Sequence, residues 1–188
     1  MKPTEILYEA YYDSPIGPIV IQASETEITC IGRKDETTAF CINRKNANAE
    51  SVSNTHTDTP TAPCKIMPLT IIKETPLIKK AYEELMEYFS GKRKTFDLPL
   101  YAEGTVFQMQ VWNALREIPY GETRSYKDIA IRIGRPKACR AVGGACHHNP
   151  ILIMIPCHRV IGANGSMTGF GSGIPVKEQL LELEGTEK

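Results

Sequence analysis

A thiol, an imidazole and a guanidinium stand side by side at Cys157-His158-Arg159. Cysteine reacts as its thiolate, and basic or cationic neighbours favour that form, so this tripeptide is a candidate nucleophile with its own base. A continuous apolar run, Ile151-Leu152-Ile153-Met154-Ile155, leads into it through Pro156. Such a run is buried. It is expected to be an extended segment that delivers the thiol at its end. Adjacent side chains of an extended segment point apart, so His158 need not touch the sulfur directly. The other cysteines, Cys30, Cys41, Cys64, Cys139 and Cys146, form no CxxC pair and no regular spacing. They read as reduced thiols of an intracellular protein, not as a disulfide framework. Cys41, His56 and Cys64 are too irregularly spaced for a zinc site, so no metal is expected.

The segments upstream of Cys157 must position it. Ser125 caps a short helix expected to run to about Ile133, Gly134-Arg135-Pro136 makes a tight turn, and a second helix follows over 137–146. Helix, short glycine-containing turn, helix is the pattern of a helix-turn-helix. The second helix carries Gly143 and Gly144, each costing about 1 kcal/mol relative to alanine. Either a neighbouring helix packs closely there, or the face is kept small so that a nucleic-acid backbone can approach. Before this unit, Thr105 and Gln108 form a capping box. Phe107, Val111, Trp112, Leu115 and Ile118 then make the buried stripe of a longer helix, which ends at Pro119-Tyr120-Gly121.

Charge is distributed unevenly. The 188-residue chain is neutral overall, yet residues 124–159 hold Arg124, Lys127, Arg132, Arg135, Lys137, Arg140 and Arg159 against Asp128 alone. A basic stripe on a neutral protein suits a reversible, salt-sensitive nucleic-acid contact. The N-terminal half has other signals. Residues 6–32 read as a small antiparallel meander with turns at Ser14-Pro15-Ile16-Gly17 and near Glu25. Residues 43–63 are polar and aperiodic, a long surface loop. Thr75 and Pro76 start a helix whose stripe is Leu77, Ile78, Ala81, Tyr82, Leu85 and Phe89, stopped at Gly91. The basic trio Lys92-Arg93-Lys94 after it reads as a solvated helix end. No stretch approaches the roughly 18 apolar residues of a membrane span, and no signal peptide is evident.

Pro156-Cys157-His158-Arg159-Val160-Ile161 resembles the signature of the O6-alkylguanine-DNA alkyltransferases, the methylated-DNA–protein-cysteine methyltransferases. Arg124-Ser125-Tyr126, the run from Arg135 to Ala145, Asn149-Pro150, Thr168-Gly169-Phe170 and the run from Lys177 to Gly185 match the same family in order and spacing over residues 104–185. Tyr12-Asp13-Ser14-Pro15-Ile16-Gly17-Pro18 matches more loosely.

The resemblance implies an α/β (α+β) protein. Residues 1–100 would form a ribonuclease-H-like α/β domain, and residues 101–188 a mainly helical, winged-helix-like domain with a helix-turn-helix. It also implies a function, the irreversible transfer of an alkyl group from O6 of guanine, and from O4-methylthymine, to Cys157 in a single turnover without a cofactor. His158 would be the base acting through a water, and Glu184, near the end of a helix over 175–185, would orient it. Tyr126 would turn the 3′ phosphate and bond the flipped base, and Arg140 would enter the stack in place of guanine. Asn149 would join the recognition helix to the cysteine segment. Ser125, Arg135, Lys137, Ala141 and Gly143 would lie on the DNA. Cys157, Val160, Phe170, Gly171, Ser172 and Leu152 would line the pocket, with Val160 and Cys157 backbone groups reading the exocyclic amine and the Gly171 N–H bonding the leaving base. The implied partner is double-stranded DNA met by a monomer, in a prokaryotic cytoplasm rather than a nucleus.

The sequence departs from the family where Phe170 replaces a frequent Tyr, Gly171 a serine and Ser172 a glycine, and where Leu152 stands at a position that is Pro in some relatives. A side chain at Ser172 is expected to narrow the pocket against bulky alkyl groups. Three other readings account for fewer of these residues. A non-catalytic lesion binder would carry another residue at Cys157. A Cys-His hydrolase leaves the helix-turn-helix unexplained. A plain transcription regulator leaves Cys157-His158-Arg159 unexplained.

Overall fold

The structure, a computed structural model, describes residues 6–34 and 69–186. The polar stretch 43–63, Cys41, His56 and Cys64 lie outside the described residues.

The N-terminal meander forms as its turn residues dictate. Strands β1 (Leu7–Tyr12), β2 (Ile19–Ala23) and β3 (Ile28–Arg33) pair antiparallel in sequence. A short fourth strand, β4 (Thr70–Ile72), adds to the other edge of β1 in parallel, giving the order β3-β2-β1-β4. Three residues without alternation carry no strand signal, which is why β4 was not anticipated. Helix α1 (Pro76–Phe89) packs on this sheet, and the Thr75 hydroxyl accepts from the Ile78 N–H at its start. The trio after it is tied down in part: Arg93 pairs with Glu84, Glu87 and Asp97.

Helix α2 (Val106–Arg116) starts with the expected reciprocal capping box of Thr105 and Gln108. A two-residue strand β5 (Arg124–Ser125) leads into α3 (Tyr126–Arg132), whose N-cap is Ser125. The turn after α3 closes at Gly134, with φ +72°, and the next helix, α4 (Cys139–His147), begins two residues later than the sequence suggested. Pro136 cannot donate a hydrogen bond, and the Ala138 N–H turns back to Arg135 O at 2.9 Å, so Lys137 and Ala138 belong to the turn. A one-turn 3-10 helix (Cys157–Arg159), strand β6 (Val160–Ile161) parallel to β5, and helix α5 (Ile174–Leu183) complete the chain.

The apolar run before Cys157 is buried but not extended. Asn149 uses both ends of its amide: Oδ1 accepts from the Ile151 N–H and Nδ2 donates to Ile155 O, curling the run into consecutive turns. Ile153 takes a left-handed φ of +71°, a strained choice for a β-branched residue that the surrounding core holds in place. This curled run joins the two halves of the molecule. The Ile31 N–H donates to Pro150 O, and the Leu152 N–H returns to Ile31 O at 2.8 Å. One continuous core therefore runs from β2 and β3 through α1, Trp112 and Leu115 to the segment that ends at Cys157.

Candidate active site

The 3-10 turn sends the side chains of Cys157, His158 and Arg159 in three directions, about 120° apart. All three are buried. Cys157 meets Asn149, whose Nδ2 donates to Sγ at 3.1 Å. His158 and Arg159 both reach Glu184, the C-cap of α5. The expected neighbour effect is therefore corrected. Arg159 does not stabilise a thiolate, because its guanidinium forks onto Glu184, with Nε 2.9 Å from Oε2 and Nη2 2.9 Å from Oε1, and Nη1 donates to Ile118 O.

Glu184 collects donors from several segments. Oε1 accepts from His158 Nε2 at 2.9 Å and from the Tyr88 hydroxyl at 2.7 Å, and Oε2 accepts from the Gly121 N–H at 3.1 Å. Burial alone would push the carboxyl up, but the bonds from His158, Arg159 and Tyr88 hold it down, at about 2. An ionised carboxylate can only accept, so His158 Nε2 carries the proton. Burial holds the imidazole below its usual value, with Glu184 opposing, so the ring is neutral near pH 7. Its other nitrogen, Nδ1, then presents a lone pair, and it is buried without a hydrogen-bond partner.

The thiol is protonated at rest. Burial pushes Cys157 up, and the Asn149 bond, the Lys177 charge and nearby backbone N–H groups offset part of that rise. The resemblance assigns Lys177 no role. It is fully buried on α5, and its ammonium donates to Val160 O and Thr168 O. Its position among Val176, Leu180 and Leu181 on the inner face of the helix was a readable signal. Tyr88 also was missed, although it continues the spacing Ala81, Leu85, Tyr88 of the α1 stripe.

Tyr126 starts α3, and its hydroxyl donates to Thr168 O at 2.7 Å, with Gly169 O at 3.1 Å. Burial, then the nearby Cys146, pushes its phenol up to about 12, so it remains a hydrogen-bond donor. The Val160 carbonyl holds the Lys177 ammonium, and the Cys157 carbonyl accepts from the Val160 N–H. Leu152 and Ser172 are buried, Phe170 is half-buried and Gly171 is exposed. Ser172 O accepts from Arg33 Nη1 at 3.3 Å, so β3 also braces this loop.

The residues expected on DNA differ in exposure, with Ser125 and Gly143 half-buried. Arg135, Lys137, Arg140 and Ala141 are exposed. Arg135 lies over the Phe107 ring at 5.4 Å. The Ser125 hydroxyl is committed to the α3 capping box with Asp128. The two glycines of α4 differ. A Cβ on Gly143 would lie 3.7 Å from the Tyr126 ring, whereas one on Gly144 would meet nothing within 4 Å. No protein neighbour accounts for the small residue at 144.

A family model described as the 6-O-methylguanine DNA methyltransferase DNA binding domain matches residues 106–186, and the ribonuclease-like domain of the same family matches residues 7–102. The chain is 43% identical over 180 residues to a methylated-DNA–protein-cysteine methyltransferase of Methanosarcina acetivorans, covering 96% of this chain and 99% of the relative. It is 43% identical over 178 residues to the constitutive methylated-DNA–protein-cysteine methyltransferase of Bacillus subtilis, covering 94% of each. A crystal structure of Mycobacterium tuberculosis OGT in complex with DNA matches with a TM-score of 0.72 and 41% identity, covering 94% of this chain and 92% of that one. The chain belongs to the 6-O-methylguanine DNA methyltransferase family.

Proposed function

We propose that this protein repairs DNA by moving an alkyl group from O6 of a flipped guanine to Cys157, once per molecule. The observation that carries the reading is a buried thiol beside a neutral, buried histidine whose proton is fixed on the Glu184 side. Of the alternatives, a non-catalytic lesion binder would lack Cys157.

The steps follow from the groups present. A stacked guanine cannot reach a buried thiol, so the base must leave the helix. Arg140, exposed on α4, fills the space it leaves, and Gly144 lets the DNA backbone approach α4 closely. Tyr126 must exchange its bond with Thr168 O for one to the base or its phosphate. His158 Nδ1 takes the thiol proton through a bridging water, since no hydrogen bond joins it to Sγ, and the imidazolium is stabilised by Glu184. The thiolate attacks the alkyl carbon in line, the carbon–O6 bond breaks, and its electron pair leaves with guanine. Tyr126 O–H and Gly171 N–H support the departing anion, which takes a proton from solvent as the His158 imidazolium returns its own to solvent. The thioether is stable, so the thiol does not return. None of these steps calls for a cofactor.

By the same reading O4-methylthymine is a second substrate, the protein acts as a monomer, and it works in a prokaryotic cytoplasm. The division into two domains near residue 100 assigns base handling to the C-terminal part. Among the described residues no helix is long and apolar enough to cross a membrane.

The test is direct. Incubation with duplex DNA carrying O6-[methyl-labelled]guanine should place one label per protein on the peptide containing Cys157. Cys157→Ser should take no label yet bind the duplex. Label on another residue, or none with the wild-type protein, would overturn the proposal.

A further inference from the structure

We infer that Tyr88, a residue of the N-terminal domain, is a positioning residue for alkyl transfer, because its hydroxyl anchors the same oxygen of Glu184 that holds His158. The inference rests on the roles proposed above for Cys157, His158 and Glu184.

Four residues donate to the Glu184 carboxylate: Tyr88, Gly121, His158 and Arg159. Tyr88 is the one that comes from the N-terminal domain, on α1, 96 positions away in sequence. It is fully buried, packed against Phe89, Phe96 and Tyr120. In that aromatic setting a phenylalanine would fill the same ring space with no polar group to desolvate. A buried hydroxyl is tolerated only when it has a partner, and here the partner is charged.

The geometry explains what the hydroxyl does. Arg159 touches both carboxylate oxygens and, acting alone, would draw the group into its own guanidinium plane. His158 depends on Oε1 only, at 2.9 Å. The Tyr88 bond of 2.7 Å pins that oxygen. Without it, Oε1 is free to settle on Arg159, and the imidazole loses the contact that fixes its proton on Nε2 and leaves Nδ1 as the base. The contacts of Tyr88 are with Glu184, Phe89, Phe96 and Tyr120, none of which lies on α3 or α4. Its effect should therefore fall on the chemical step and not on DNA affinity.

The experiment uses the full-length protein in single-turnover assays on duplex DNA containing O6-methylguanine. Rates are measured for wild type, Tyr88→Phe, His158→Gln and the double variant, at a temperature where circular dichroism shows each to be folded. Tyr88→Phe should lower the limiting first-order rate at saturating DNA by about tenfold, a part of the 10²–10⁴ that a well-placed base supplies. The DNA concentration for half-maximal rate should stay the same. In the His158→Gln background the same substitution should cost nothing further, because its target is gone. A Tyr88→Phe rate equal to wild type, or a loss of the same size with and without His158, would overturn the role of Tyr88 while leaving the site reading intact. A wild-type rate in His158→Gln would overturn both.

Discussion

Asn149 Nδ2 stands 3.1 Å from Cys157 Sγ and also donates to Ile155 O at 2.7 Å, so one amide both shapes the segment that carries the thiol and touches the thiol itself. A family-based reading makes this asparagine a joint between helix and cysteine; the structure adds that it partly offsets the effect of burial on the sulfur. Asn149→Ala should therefore slow alkyl transfer by about 10- to 100-fold and destabilise the protein by about 2 kcal/mol, since the Ile151 N–H loses its partner and Ile155 O keeps only the Cys157 N–H. Single-turnover kinetics and urea unfolding measure the two effects. A slowed reaction with unchanged stability would mean that the turn does not need the amide.

Glu184 makes stability depend on acid. Its carboxyl titrates at about 2 in the fold against a usual 4.5, so between those values the unfolded chain binds the proton more readily. Its stabilising effect is complete above about pH 5 and is lost as pH falls through the folded value near 2, on the order of 3 kcal/mol in all. Glu184→Gln should lack that pH dependence. It should also be less stable at pH 7, because Arg159 keeps its buried charge without the partner. Urea midpoints taken from pH 7 to pH 2.5 decide this; parallel curves for the two proteins would assign the acid transition to other groups.

A substitution at Gly144 tests folding and DNA binding separately. A methyl group there meets no protein atom within 4 Å, and alanine favours a helix over glycine by about 1 kcal/mol. Gly144→Ala should raise the thermal midpoint of the free protein and weaken its binding to duplex DNA, read by fluorescence anisotropy. Tighter or unchanged binding would show that α4 does not approach the DNA backbone at this point.

Ser172 is expected to limit the size of the alkyl group. It is buried in the loop that β3 braces through Arg33, so its side chain has little room to turn away. Ser172→Gly should increase reaction with O6-benzylguanine several-fold and change O6-methylguanine repair less, a difference of about 1 kcal/mol in discrimination. Wild-type protein that reacts equally fast with benzyl and methyl substrates in duplex DNA would remove the premise.

Much of this molecule was legible from local rules. The caps at Thr75, Thr105 and Ser125, the turn at Gly134 and the three-stranded meander each follow from a few adjacent residues, and each formed as read. Cys157 and His158 could be read as a candidate pair from their own neighbours, whereas the roles given to Glu184 and Tyr126 came with the resemblance of the surrounding motifs to the family. Contacts between distant segments could not. The apolar run before Cys157 looked extended, because burial is written in its composition, whereas its curl depends on the two ends of the Asn149 amide. Arg159 looked like a neighbour that would charge the sulfur; only the packing of α5 turns it to Glu184 and leaves Lys177 as the buried cation whose charge favours the thiolate. Tyr88 lies 96 residues from Glu184, and no period or spacing links them. The sequence by itself determined the elements and the chemical inventory, because those depend on near neighbours and residue type. The tertiary structure decided which donor meets which acceptor, and with it the protonation states of Cys157, His158 and Glu184, because burial and long-range hydrogen bonds exist only once the two domains share one core.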